Sequence, residues 1–332
     1  MKSVGSFFTG KGSAGQSYVL IFLILVIVVI ATVVNHRFVH PRNIINIFQQ
    51  IAVLGIVASG VGMLLVSGHV DISVGSQVSL MGAIFAMAIQ RMMALPEGNV
   101  EPWRQALTYP VAIALTCGVG LAIGLANGIT VVKSRASSFI ISLGFMSAYS
   151  SLALLVTGGA SYMLFGRFEL LGRGRIFHYL PISILFFLGI VVIAHIILKY
   201  FRYGRFLYAI GSNRKAAFVS GINTDRIIIK GYIMMGLLNA LAAIILISRV
   251  GTALATTGDD YALDALASVI VGGVALTGGK GGALNIFLGV VLIGLIGNAL
   301  IIMNVNPHIR GLVIGLIIII AVSLSQLSER QS

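Results

Sequence analysis

Long apolar runs separated by short polar punctuation recur along this chain from Val19 to its last thirty residues. A helix needs roughly 20 mostly apolar residues to cross the hydrocarbon core of a bilayer. Ten stretches fit that requirement or approach it: residues 18–35, 44–66, 72–90, 108–132, 138–157, 180–198, 227–248, 264–276, 283–303 and 310–327. The pattern predicts an all-α integral membrane protein of about ten transmembrane helices. The eighth stretch is short and reads as a broken or partial span. The first is not read as a cleaved signal peptide, because Asn35, His36 and Arg37 follow it instead of a small-residue cleavage motif.

Composition agrees with the pattern. Hydrophobic residues make up 58% of the chain, charged residues 9%, and the mean hydropathy is +1.04. Soluble domains carry about 25% charged residues, so this chain has too little polar surface to cover a water-soluble globule. Gly is abundant, at 40 residues, which lets helices pack closely and break where they line a cavity.

The net charge of +13 does not point to nucleic acid, because the basic residues punctuate apolar runs. In such chains Lys and Arg mark the cytoplasmic side. Ten spans put both termini on one side. With both termini cytoplasmic, Lys2, Lys11, Lys133, Arg135, Lys199, Arg202, Arg205, Arg214, Lys215, Arg226, Lys230, Lys280 and Arg330 fall inside. Fewer basic residues fall outside: Arg37, Arg42, Arg91, Arg104, Arg167, Arg173, Arg175, Arg249 and Arg310. Among the acids, Asp71, Asp225 and Glu329 fall inside, while Glu97, Glu101, Glu169, Asp259, Asp260 and Asp264 fall outside or near that face.

Residues 199–226 form the longest polar stretch and the most basic one. Asn213 can cap a short helix there and Gly221 can end it, with Ala216, Ala217 and Val219 as its small apolar face. Two readings fit: a basic amphipathic helix on anionic headgroups, or a knob docking into a cytoplasmic partner protein.

Two glycine-rich stretches carry acidic candidates. In Ser67–Ser76, Asp71 stands between two spans with Gly68 and Gly75 around it; an ionisable residue there is a functional candidate or a cap for the following helix. In Tyr261–Gly282, Asp264 precedes a short apolar helix ending in paired glycines. The Gly-Gly-Lys-Gly-Gly tail is not a nucleotide-binding P-loop. That loop needs a glycine where Val274 stands and a hydroxyl where Gly281 stands. Nor is there a GxSxG elbow or a metal-ligand spacing among the six His. Asp259 and Asp260 read as solvated residues of an outer loop. The single cysteine, Cys117, excludes an internal disulfide and reads as a small buried hydrophobe.

At these residues the chain resembles the permease subunits of bacterial ABC importers of the ribose/galactose type, from about Phe38 to the last span. Four blocks carry the resemblance. They are Gly68-His69-Val70-Asp71-Ile72-Ser73-Val74-Gly75-Ser76, and Asn127-Gly128 followed by Phe139-Ile140-Ile141-Ser142-Leu143-Gly144. The third is Gly204-Arg205, Tyr208-Ala209-Ile210-Gly211, Asn213 with Ala216-Ala217, and Ser220-Gly221-Ile222. The fourth is Tyr261, Leu263-Asp264-Ala265, Gly272-Gly273 and Gly278-Gly279. Two departures stand out: His69 where the family has small residues, and Ser137-Ser138 where many members carry proline.

The resemblance implies one transmembrane permease domain, 1–332, in a bacterial cytoplasmic (inner) membrane. It implies that 199–226 is a coupling segment docking on an ATPase subunit through Gly204, Arg205, Asn213, Ala216, Ala217 and Gly221. It makes Asp71, Ser73, Gly75, Asn127, Phe139, Asp264, Gly272 and Gly273 candidates for the translocation path or gate. The implied partners are that ATPase, which holds ATP and Mg, an extracytoplasmic solute-binding protein, and a second permease subunit, same or related. The chain itself would bind no cofactor, hydrolyse nothing and pass a sugar or sugar-like solute. The competing reading is an ion-coupled secondary transporter using Asp71 or Asp264.

Overall fold

The computed structural model describes residues 13–93, 102–164, 166–177 and 180–329. The expectations placed on Lys2, Lys11, Glu97, Glu101 and Arg330 lie outside the described residues. A helix stands at each of the ten expected positions. These are α1 (Ser13–Val34), α2 (Pro41–Val66), α3 (Val74–Met93), α4 (Pro102–Ser134) and α5 (Ser138–Thr157). They continue as α7 (Ile182–Tyr200), α10 (Thr224–Val250), α11 (Tyr261–Gly272), α12 (Ala283–Ile302) and α13 (Pro307–Glu329). Among the described residues, 7 helices are long and apolar enough to cross a membrane: α1, α2, α4, α5, α7, α10 and α12.

Between these lie the one-turn helix α6 (Leu170–Arg173), α8 (Arg202–Ser212) and α9 (Arg214–Val219). Two small antiparallel pairs complete the fold. β1 (Tyr162–Met163) pairs with β4 (Thr252–Ala253), and β2 (Arg175–Ile176) with β3 (Leu180–Pro181).

The core is α2, whose residues from Ile51 to Val66 are all buried. It is hydrophobic all round, as a helix surrounded by others must be. Helix α4 crosses α10 closely, and small residues explain it. Gly120, Gly124 and Gly128 recur every fourth residue on α4, one above the other. A Cβ added at Gly120 would lie 2.6 Å from the Gly236 carbonyl oxygen, and one at Gly124 would lie 2.5 Å from that of Tyr232. With no hydrophobic drive between helices in lipid, such close backbone packing is what holds them.

Contacts between distant segments sort the helix ends. The ends of α2, α4 and α7, the starts of α5 and α10, and all of α8 and α9 gather at one end. There the Val70 N–H donates to Ser138 Oγ at 3.0 Å, Gly279 N–H to the Val66 carbonyl at 2.9 Å, and Tyr203 Oη to the Ile227 carbonyl at 3.3 Å. At the opposite end, Gln49 Nε2 donates to the Gly172 carbonyl at 3.0 Å and Gly172 N–H to Ser248 Oγ at 2.9 Å. Asn43 and Asn298 exchange side-chain hydrogen bonds there as well.

Two helices that run toward the first end stop in the same way. Gly68, past α2, and Gly273, past α11, both adopt the left-handed conformation, with φ of +78° and +96°. Their N–H groups donate to the Leu65 and Ile270 carbonyls at 2.8 Å. The next N–H groups, of His69 and Val274, reach back to the Leu64 and Val269 carbonyls. This is the glycine-terminated cap that closes a helix by satisfying its last carbonyls. An extended break follows in each case, residues 67–73 and 273–282, before α3 and α12 begin. The eighth expected span is thus a helix of 12 residues plus a break.

Candidate functional site

The first break carries Asp71, 2% exposed. Its Oδ1 accepts the Ser73 N–H at 2.8 Å and the Ser73 hydroxyl at 2.5 Å. The carboxylate therefore closes the turn that enters α3, which begins at Val74 rather than Ile72. Asp71 Oδ2 accepts Asn127 Nδ2, from α4, at 3.0 Å, and Gln77 Nε2, one turn into α3, at 3.4 Å. The Gln77 and Asn127 amides also donate to Ser73 Oγ, at 2.8 and 3.3 Å. Two more helices join: Tyr149 Oη of α5 donates to Asn127 Oδ1 at 2.5 Å, and Asn239 Nδ2 of α10 donates to Gln77 Oε1 at 2.8 Å.

One buried network thus ties the break to α3, α4, α5 and α10. Every hydrogen-bond partner of Asp71 given above is neutral. A buried carboxylate held only by neutral donors is costly unless its lone pairs are met, and here four donor contacts meet them.

The sequence candidates divide between several places. Asp71, Ser73 and Asn127 meet in the network. Gln77, Tyr149 and Asn239 belong to it but are not among the sequence candidates; their only signal is a lone Gln, Tyr or Asn inside an apolar run. Gly75 lies one turn on, where a Cβ would sit 2.7 Å from the Asp259 carbonyl oxygen. Asp259 is exposed yet tied down, accepting the Ser79 hydroxyl at 3.0 Å. Phe139 stands in the first turn of α5, 47% exposed, outside the network. Asp264 is buried in the first turn of α11. Gly272 lies against α12, where Asn285 Nδ2 donates to its carbonyl at 3.0 Å. His69 is buried at a helix end, its Nδ1 within 3.1 Å of Ser67 Oγ.

The basic segment contains two helices, not one. Gly204, in α8, packs on α7 so closely that a Cβ there would overlap the Ile197 carbonyl oxygen, while Arg205 faces outward. Asn213 caps α9, its Oδ1 accepting the Ala216 N–H at 3.0 Å; such a cap contributes about 1 kcal/mol. Gly221 follows with φ of +84°. Arg214 bridges to Asp225 at 3.0 Å, tying α9 to the start of α10. The expected apolar face is different in detail. Ala217 is buried inward, whereas Phe218 and Val219 are 68% and 84% exposed. In one short helical turn, Lys215 and Val219 fall four apart and share a face with Phe218.

Comparison with known proteins places this chain in a family. The family described as "Branched-chain amino acid transport system / permease component" matches residues 43–322. The ribose import permease protein of Bacillus subtilis (strain 168) is 34% identical over 306 residues, 91% of this chain and 90% of that protein. The ribose import permease protein of Escherichia coli (strain K12) is 32% identical over 311 residues, 90% of each. The galactose/methyl galactoside import permease protein of Haemophilus influenzae (strain ATCC 51907 / DSM 11121 / KW20 / Rd) is 31% identical over 313 residues, 92% of this chain and 93% of that protein. No solved structure matches. The chain belongs to this permease family, and it is a multi-pass inner-membrane permease subunit of an ATP-binding cassette importer.

Proposed function

We propose that this subunit pairs with a second permease chain to form the path for a sugar or sugar-like solute. The solute class is carried by likeness to the ribose and galactose permeases over nine-tenths of the chain. An ATPase subunit, holding ATP and Mg, docks on α8 and α9, and an extracytoplasmic binding protein delivers the solute at the opposite end. Docking at α9 is supported by Phe218 and Val219, large apolar side chains exposed on a basic segment. Orientation with this end cytoplasmic, and with it both termini, is supported by the basic residues gathered there: Lys133, Arg135, Lys199, Arg202, Arg205, Arg214, Lys215, Arg226 and Lys280.

In this reading the Asp71 network is a gate element. It fixes the break against four helices in one state, and ATP-driven movement of the docking segment biases it toward the other. A bias of this kind acts only through different affinity for the two states. The proton-carrier reading of Asp71 is disfavoured by its direct hydrogen-bond partners, the Ser73 N–H and hydroxyl and the Gln77 and Asn127 amides, which exchange no proton near neutral pH.

Reconstitution in proteoliposomes tests the proposal. Uptake of labelled ribose or galactose is expected only with the ATPase, ATP and a binding protein present. Uptake by the permease alone under a proton gradient would overturn it in favour of the ion-coupled reading.

A further inference from the structure

Three chain segments far apart in sequence meet backbone to backbone at the basic end. They are Val66–Gly68 at the end of α2, Gly211–Ser212 at the end of α8, and Gly278–Gly281 in the second break. A Cβ on Gly211 would overlap the Val66 carbonyl oxygen and lie 2.5 Å from the Gly279 nitrogen. One on Gly278 would lie 2.7 Å from the Gly68 nitrogen and 2.9 Å from Gly211 Cα. One on Gly279 would meet Ser212 Oγ at 2.5 Å. The Gly279 N–H donates to the Val66 carbonyl at 2.9 Å, and Tyr208 Oη to the Gly281 carbonyl at 2.7 Å.

Apart from Ser212 Oγ at Gly279, these contacts are main chain against main chain. Flexible side chains absorb small displacements by changing rotamer; main-chain atoms in contact and hydrogen-bonded across the joint do not. The other end of α8 is fixed equally firmly, by Gly204 on α7. Helix α8 is therefore a short rigid strut with a backbone joint at each end, and α9 projects from it beyond Asn213. Gly68 stands three residues before Asp71.

We propose that this glycine joint, formed by Gly211, Gly278 and Gly279 and latched by Tyr208, is the transmission contact that carries movement of the docking helix into both broken spans at once. Its members are positioning residues: they touch neither solute nor ATP and act by holding the breaks to α8. The proposal rests on the docking reading of α9.

The test uses the assembled transporter, permease with ATPase and binding protein, in proteoliposomes. Gly278→Ala inserts a methyl group into the joint, and Tyr208→Phe removes the latch without adding an atom. Both variants are expected to retain the ATPase subunit on purification and to hydrolyse ATP at near wild-type rate. Solute imported per ATP is expected to fall about fivefold in Tyr208→Phe and about tenfold or more in Gly278→Ala. An unchanged ratio, whether both rates stay high or both fall together, would overturn the proposal. If Gly278→Ala is not recovered from membranes, the ratio for Tyr208→Phe decides alone. Phe218→Asp separates the two readings. Full retention of the ATPase by that variant sinks docking at α9, whereas the solute-to-ATP ratio of the joint variants speaks to the joint.

Discussion

Tyr149 sets the direction of the Asn127 amide. Its hydroxyl donates to Asn127 Oδ1 at 2.5 Å, so the amide nitrogen is left facing Asp71, to which it donates at 3.0 Å. Without that hydroxyl Asn127 Oδ1 loses its buried donor, while the nitrogen stays held by Asp71 and Ser73.

Tyr149→Phe is accordingly expected to lower stability by about 0.6 kcal/mol and at most about 1.7 kcal/mol, the average and the maximum for single hydrogen bonds inside a membrane bundle. Asn127→Asp should cost more, because it sets a second carboxylate against Asp71. Thermal unfolding of purified permease in detergent orders them: wild type highest, Tyr149→Phe next, Asn127→Asp lowest. Equal midpoints for all three would contradict the network's role.

Gly124 stands where α4 and α10 touch, with the Ile233 Cα 2.7 Å from where a Cβ would be. Backbone cannot step aside there, so Gly124→Ala should destabilise by about 1–3 kcal/mol. It should also draw Asn127 away from Asp71. Gly118 makes no such approach, and Gly118→Ala serves as the neutral control in the same unfolding assay.

Neighbouring alanines of α9 should respond differently to charge. Ala217 is buried and Ala216 exposed. Ala217→Glu should destabilise the permease itself, whereas Ala216→Glu and Phe218→Ala should leave its unfolding midpoint unchanged while weakening capture of the ATPase. Loss of the Phe218 side chain is worth about 1.5–3 kcal/mol if docking buries it. Quantitative pull-down against the ATPase subunit, alongside the unfolding midpoints, reads both effects.

Acid should act through His69. Burial first, and then the charge of Arg214, pushes its imidazole from 6.5 down to about 4, with the Ser67 carbonyl opposing. The folded chain thus holds His69 neutral where the unfolded chain would protonate it. The stability this contributes is complete above pH 6.5 and is lost as pH falls toward about 4. Compared with His69→Gln, wild type should lose more stability between about pH 7 and about pH 5. Parallel pH profiles for the two would refute this.

The ten helix positions are legible in the sequence because a bilayer imposes length and apolarity on whatever crosses it. The two breaks are legible more faintly, through Gly68 and Gly75 around Asp71 and through the shortness of the run after Asp264. Helix α8 is hidden by its Arg, Tyr and Gly residues, which read as loop; yet Gly204, Leu207 and Ile210, all buried, recur at helical spacing. The network's membership is not legible beyond Asp71, Ser73 and Asn127. Gln77, Tyr149 and Asn239 sit on three different helices, and only tertiary packing decides which lone polar side chains meet. Phe218 is hidden for a similar reason: a single turn does not reveal which of Ala216, Ala217 and Phe218 points inward until α8 packs against it.

The brevity of α11 bears on how the chain is made. At 12 residues it is about 18 Å long, against a hydrocarbon core of about 30 Å. In the following break some peptide groups bond locally, such as the Ala275 N–H to the Lys280 carbonyl, but the Gly279 N–H and the Gly281 carbonyl meet the Val66 carbonyl and the Tyr208 hydroxyl only in the folded bundle. As it leaves the ribosome, α11 therefore has no stable place in lipid of its own. It packs against α12 and α13 as well as α2, so a nascent chain halted just past Gly272 is expected to carry its eighth helix outside the membrane.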